Sequence, residues 1–203
     1  MKFKNDWNNR VLISDNQEEI HQDFEEMLNP DFTKGLTDDL AEAFVSEVDE
    51  SFLPEFDLLH AKCGEETYEM VKTALEMDNP IAVAHIDDKM SSDMDGIETA
   101  HRVREIDKNI EIVLMTAYTN KSCAQIARGM ELPHKLLYIR KPFAREEIQQ
   151  ITFSLAEKWN VERELVEKSR QLAISSYRLA AVLASSAKSG RFVPNHRNIM
   201  KIR

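Results

Sequence analysis

A chain of 203 residues can bury one full core with about fifty residues left over, which predicts one domain of about 140 residues plus additions rather than two domains. Hydrophobic content of 42%, charged content of 31% and the lack of any apolar run near the ~20 residues of a membrane helix exclude a membrane protein. The net charge of −10 is uneven: residues 168–203 hold eight Lys or Arg and no acid, leaving −18 on residues 1–167, a body that nucleic acid would repel.

The opening MKFKNDWNNR has no apolar stretch after its lysines, which predicts a cytoplasmic protein. Cys63 and Cys123 lack CxxC spacing and predict reduced thiols, not a disulfide framework or a zinc site. Along the chain, VLIS (11–14) reads as a first buried strand. A helix over 17–28 follows, with Ile20, Phe24 and Met27/Leu28 at helical spacing. FDLLHA (56–61) is a second strand and 64–77 a second helix; PIAVAHI (80–86) is a third strand and 95–107 a third helix. IEIVLMTA (110–117) is a fourth strand, 120–130 a weaker helix, KLLYIR (135–140) a fifth strand, and a last helix begins after Pro142. Strands and helices that alternate in this way predict a doubly wound α/β fold, with a five-stranded parallel sheet covered on both faces.

Two segments depart from that alternation. Residues 29–54 are an insertion in which Leu40, Phe44 and Val48 share one helical face behind a Thr37 or Asp38 cap, and residues 38–57 hold eight acids and no Lys or Arg. They predict an acidic helix that packs on the body or docks a partner. From Phe143 to Ser189 there is no Gly or Pro, which allows a helix of ~70 Å. Leu165, Leu172 and Leu179 alternate in 4/3 spacing with Val161, Lys168, Ser175 and Val182, a coiled-coil register with two polar interruptions. Asn160 offers a break after which the second half would fold back; an unbroken helix would dimerise or transmit a signal. The domain organisation is therefore 1–155 with its insertion, a helical extension at 156–189 and a basic tail at 190–203. That tail has no helix-turn-helix pattern, so nucleic-acid binding is not expected.

The densest polar stretch is HIDDKMSSDMDGIE, 85–98. Laid on a calcium-binding EF-hand loop with Gly96 at its sixth position, it puts Arg102 where the twelfth position needs a bidentate Glu, so a calcium loop is excluded. The six histidines show no paired metal spacing, and His85, in a core strand, reads as hydrogen-bonded rather than catalytic. The strand ends carry more information, because ligands of parallel sheets bind at the carboxyl ends of the strands. Those ends hold Asp15-Asn16, Asp87-Asp88, Thr116-Ala117 and Arg140-Lys141-Pro142. Acid, acid, hydroxyl and lysine suit phosphoryl transfer to a carboxylate: an aspartate attacks, Mg²⁺ screens the phosphoryl oxygens and a lysine neutralises charge.

VLISDNQEEIH, IDDKMSSDMDGIE, VLMTAY and YIRKPF, in this order, resemble the motifs of the receiver domain of two-component response regulators, nearest the subgroup found with sensor kinases. The resemblance covers about residues 8–155 and implies a flavodoxin-like sheet of order 2-1-3-4-5. It implies Asp87 as phosphoacceptor and Mg²⁺ ligand, with Asp88 as the alternative acceptor because the loop is one residue longer than usual. Asp15, Asn16 and the Lys89 carbonyl would complete the metal site, Asn16 standing where the family usually has a carboxylate. Thr116 and Lys141 would hold the phosphoryl group, Tyr138 would turn inward on activation, and Lys141–Pro142 would be cis. The implied function is a phosphoryl-accepting switch with no other enzymatic activity. Its partners are a histidine kinase or phosphotransfer protein and a second copy, met through the C-terminal helix or the face of the fourth helix, fifth strand and last helix. The competing expectation is a degenerate, phosphorylation-independent receiver that acts as a scaffold or dimerisation module.

Overall fold

A computed structural model describes residues 7–29, 54–90, 94–117 and 131–189, with side chains through Leu183. The expected acidic insertion helix, the helix at 120–130, the basic tail and Ser91, Ser92 and Asp93 lie outside the described residues.

Short runs rich in Val, Ile and Leu form β1 (Arg10–Ser14), β2 (Asp57–Ala61), β3 (Val83–Asp87), β4 (Glu111–Thr116) and β5 (Leu136–Arg140). They pair in parallel in the order β2-β1-β3-β4-β5. This is the sheet the resemblance implies. Between the strands lie α1 (Glu18–Leu28), α2 (Gly64–Glu76) and α3 (Gly96–Ile106), and α4 (Arg145–Ser189) follows β5. No helix among the described residues is long and apolar enough to cross a membrane.

Both sheet faces are covered, so the central strands read as unbroken apolar runs instead of alternating ones. Leu12, Ala84, Ile86, Ile112 and Leu114 pack with Val71 and Ala74 of α2 and Ala100 and Val103 of α3. Val11, Ile13, Val113, Met115 and Ile139 face the other way, onto Phe24 and Leu28 of α1 and Ile148, Ala156 and Trp159 of α4. Asp95 caps α3, its carboxylate accepting the Glu98 N–H at 2.8 Å. The end of β3 differs from the sequence expectation: the strand includes Asp87 as its last residue, whereas the sequence places that residue just after the strand.

Asn160 does not break the last helix. Its side-chain oxygen accepts the Asn8 N–H at 2.8 Å and its amide donates to the Asn8 and Ala156 carbonyls at 2.9 and 2.8 Å. Trp7 donates from its indole to Glu157 at 3.0 Å. The residue read as a possible helix breaker instead ties the chain start to α4. The chain divides into two compact units, Met1–Val161 and Glu162–Arg203. Within the second, Leu165, Leu172, Leu179 and Leu183 are each more than 60% exposed.

Candidate functional site at the carboxyl edge of the sheet

Parallel pairing brings the carboxyl ends of four strands to one edge, and β1 and β3 lie side by side at the sheet centre. Chain connections leave those two strands toward opposite faces, which opens a crevice there. Asp15 follows β1, Asp87 ends β3, Thr116 ends β4 and Lys141 follows β5.

Three of these side chains meet. The Lys141 ammonium donates to Asp15 Oδ2 at 2.5 Å and lies 2.8 Å from Asp87 Oδ1. The Asp15 side chain is fully buried and that of Asp87 is 6% exposed, so water screens the trio poorly. The second oxygen of each acid is held by its own backbone two residues on: Gln17 N–H donates to Asp15 Oδ1 at 2.9 Å and Lys89 N–H to Asp87 Oδ2 at 3.1 Å. Burial pushes the Asp87 carboxyl above its ordinary range; Lys141 and the Lys89 N–H pull it back, while Asp15 adds to the rise. Burial works against the Lys141 ammonium, but its hydrogen bonds to Asp15 and Asp87 outweigh it, so the lysine keeps its proton above the usual range.

Of the other expected residues, Thr116 is buried, its carbonyl accepts the Lys141 N–H at 2.8 Å, and its hydroxyl has no hydrogen-bond partner among the described residues. Tyr138 is half-buried, pairs in register with Leu114 and packs against the α2/α3 core. Asn16 is exposed. Asp88 is half-buried, with its Oδ1 buried and unpartnered among the described residues. The Lys141–Pro142 peptide is cis.

No three His, Cys, Asp or Glu side chains converge as a metal cage among the described residues. Two carboxylates do, and each of their oxygens retains acceptor capacity beyond the one hydrogen bond or ion pair described above. Hard oxygen donors of this number fit Mg²⁺, which commonly takes one or two carboxylates and fills its shell with water and phosphate.

Three features were not read from the sequence. Gly96 lies so close to the end of β3 that a Cβ there would overlap the Asp87 carbonyl and sit 2.8 Å from Asp88 Cα. Gly96→Ala is expected to destabilise the fold by about 1–3 kcal/mol in urea denaturation, through displacement of the Asp87–Asp88 backbone. Ser14, at the end of β1, bonds Thr67 at 2.5 Å and Met90 Sδ at 3.1 Å, which anchors the loop after Asp87 from below. His21 and His60, unpaired in the sequence reading, meet Nδ1 to Nδ1 at 2.9 Å; His21 Nε2 donates to the Asp15 carbonyl at 2.8 Å. His85 is buried and bonds Thr152 at 2.9 Å, as expected of a core histidine, and burial pushes its imidazole down to about 3.

In sequence, no family model and no curated protein matches the chain. Solved structures do match. The receiver domain of a Francisella response regulator is 20% identical, with a TM-score of 0.52 over 74% of this chain and 98% of that one. The signal receiver domain of an HD domain-containing protein from Pseudomonas fluorescens is 17% identical, with a TM-score of 0.56 over 80% of this chain and 96% of that one. A chain of the CheX–CheY–BeF3–Mg²⁺ complex from Borrelia burgdorferi is 21% identical, with a TM-score of 0.50 over 72% of this chain and 87% of that one. The chain thus has the fold of response-regulator receiver domains, extended by a long C-terminal helix.

Proposed function

We propose that this receiver fold is a phosphoryl-accepting signalling switch with Asp87 as its acceptor, supplied by a histidine kinase or a phosphotransfer protein. The observation that carries this reading is the single ammonium of Lys141 shared between the buried carboxylates of Asp15 and Asp87. An oxygen of Asp87 attacks phosphorus in line, the P–N bond to the donor imidazole breaks, and its electron pair returns to that nitrogen. Lys141 keeps its proton and turns from the free carboxylate to a phosphoryl oxygen. The Thr116 hydroxyl, at the end of β4, donates to another.

Asp15, Asp87, Asn16 and the Lys89 carbonyl are the groups that would hold Mg²⁺, which when bound offsets charge on the phosphoryl oxygens. In the CheX–CheY complex from Borrelia the same ion accompanies beryllofluoride, a phosphoryl mimic. Incubation with acetyl phosphate and Mg²⁺ should add one phosphoryl group to the wild type and none to Asp87→Ala, as read by intact mass. Equal labelling of both would sink the assignment.

Asn16 supplies an amide oxygen where a carboxylate would add charge, so the metal is held weakly. Asn16→Asp is expected to tighten Mg²⁺ binding roughly tenfold in titration calorimetry. Equal affinity would show that residue 16 lies outside the metal site.

The exposed row Val161, Leu165, Leu172, Leu179 and Val182 supports a further step, pairing of the extension with a second copy as a coiled coil. Leu172→Glu would then shift the sedimenting species from dimer to monomer and leave the melting of the sheet domain unchanged. A wild type that sediments as a monomer would remove this step.

A further inference from the structure

The doublet Asp87-Asp88 puts two carboxylates in succession at the end of β3, one on its last residue and one on the bend that follows. Asp88 is therefore placed by its own hydrogen bonds and not by strand alternation. On β4, Ile112 and Leu114 face the α2/α3 core and Thr116 ends the strand. The register is Ala84 with Ile112, Ile86 with Leu114 and Asp87 with Met115, and Asp88 N–H continues it by donating to the Met115 carbonyl at 2.9 Å. That bond sets Asp88 next to the residue that precedes Thr116 on β4.

Each of these neighbours has an unsatisfied oxygen. Asp88 Oδ1 and Thr116 Oγ1 are both buried and have no hydrogen-bond partner among the described residues. Thr116 as a whole is 8% exposed, so water does not readily serve its hydroxyl. A carboxylate accepts and a hydroxyl donates, and leaving both unmade in a buried place costs free energy. The Asp88 backbone has little freedom, since its carbonyl also accepts the Gly96 N–H at 3.3 Å and Gly96 leaves no room to shift. Side-chain rotation is what remains to close the pair.

We propose that Asp88 is a positioning residue for Thr116: its carboxylate accepts the Thr116 hydroxyl in the unmodified protein and so competes with a phosphoryl group on Asp87 for the same proton. The competition rests on the function proposed above; the pairing does not. Asp88 is then neither a second acceptor nor an idle loop acid, but a brake on the threonine response.

The pairing is tested without metal or phosphoryl donor, by urea denaturation of the full chain as wild type, Asp88→Ala, Thr116→Val and the double variant. The folding constants of the cycle should depart from additivity by at least about threefold, and a ratio of one would overturn the proposal. Asp88→Ala with Thr116→Ala gives a second cycle should Thr116→Val fold poorly. The competition is tested by beryllofluoride titration with Mg²⁺. Asp88→Ala should bind several-fold tighter than wild type, whereas Asp88→Asn, which keeps an acceptor oxygen, should stay near it. Unchanged or weaker binding by Asp88→Ala would overturn the braking role. A wild type that does not respond to beryllofluoride would count against Asp87 as acceptor, and the urea cycle would still decide the pairing.

Discussion

Asp87→Asn is expected to lose phosphoryl acceptance completely and to gain stability at neutral pH. Acceptance fails because an amide oxygen is a poor nucleophile, and Asp88 does not replace it because Lys141 and the Lys89 N–H are directed at residue 87. Stability rises because Asp87 is ionised where burial opposes the charge and Asp15 stands beside the same lysine. A carboxyl whose folded pKa lies above its unfolded value binds its proton more tightly in the folded state. Its ionisation therefore costs no stability well below 3.8, begins to cost as pH rises through 3.8, and reaches its full cost above the raised folded value. Asparagine removes that cost and leaves Lys141 paired with Asp15 alone. The gain should be about 1 kcal/mol in urea melts at pH 7 and should vanish near pH 3, the usual exchange of stability for function at an active acid. A variant less stable than wild type at pH 7 would mean that the Lys141 contact outweighs burial.

Much of this arrangement is legible in the residues alone. Val11-Leu12-Ile13 and Ile112-Val113-Leu114-Met115 are unbroken apolar runs because both sheet faces are covered, and that pattern points to parallel strands with functional groups at their carboxyl ends. Asp15, Asp87 and Lys141 are found that way although 72 and 54 residues separate them. Features that depend on which strand lies beside which element are hidden. His21 meets His60 only because β2 is placed against α1, and no spacing within either segment records it. Asn160 looks like a helix breaker because local propensity ignores a partner 152 residues away. Glu111 carries no signal in the sequence reading, yet its side chain is 1% exposed and holds Lys135 at 2.5 Å and Lys158 at 3.0 Å. The orphaned oxygen of Asp88 is equally hidden, because it depends on the bend after β3 and on the Met115 carbonyl that holds it.

Lys141→Met should be the most damaging single change at this edge. Methionine matches the length of the lysine stem, so packing is largely kept and the loss is of charge. Two carboxylates, one fully buried and one 6% exposed, would then face each other with no cation between them. Removal of one member of a buried ionic cluster costs about 3–5 kcal/mol, because the charges left behind stay desolvated and unpaired. The pH dependence separates this cause from simple misfolding. Lys141 has a folded pKa above 10.5, so its contribution is fully present below 10.5 and is lost only as pH rises through the raised folded value. The penalty at pH 7 is thus the full one. It should shrink as pH falls through the acid range, since without the lysine Asp87 takes up a proton still more readily and the repulsion disappears. Adding Asp87→Asn to Lys141→Met should recover a large part of the loss at pH 7, by leaving Asp15 as the only buried charge of the trio. Urea denaturation of the single and double variants at pH 7 and pH 4 checks both statements. A loss at pH 7 below about 1 kcal/mol, unchanged at pH 4, would show that solvent already screens the trio as it does a surface ion pair.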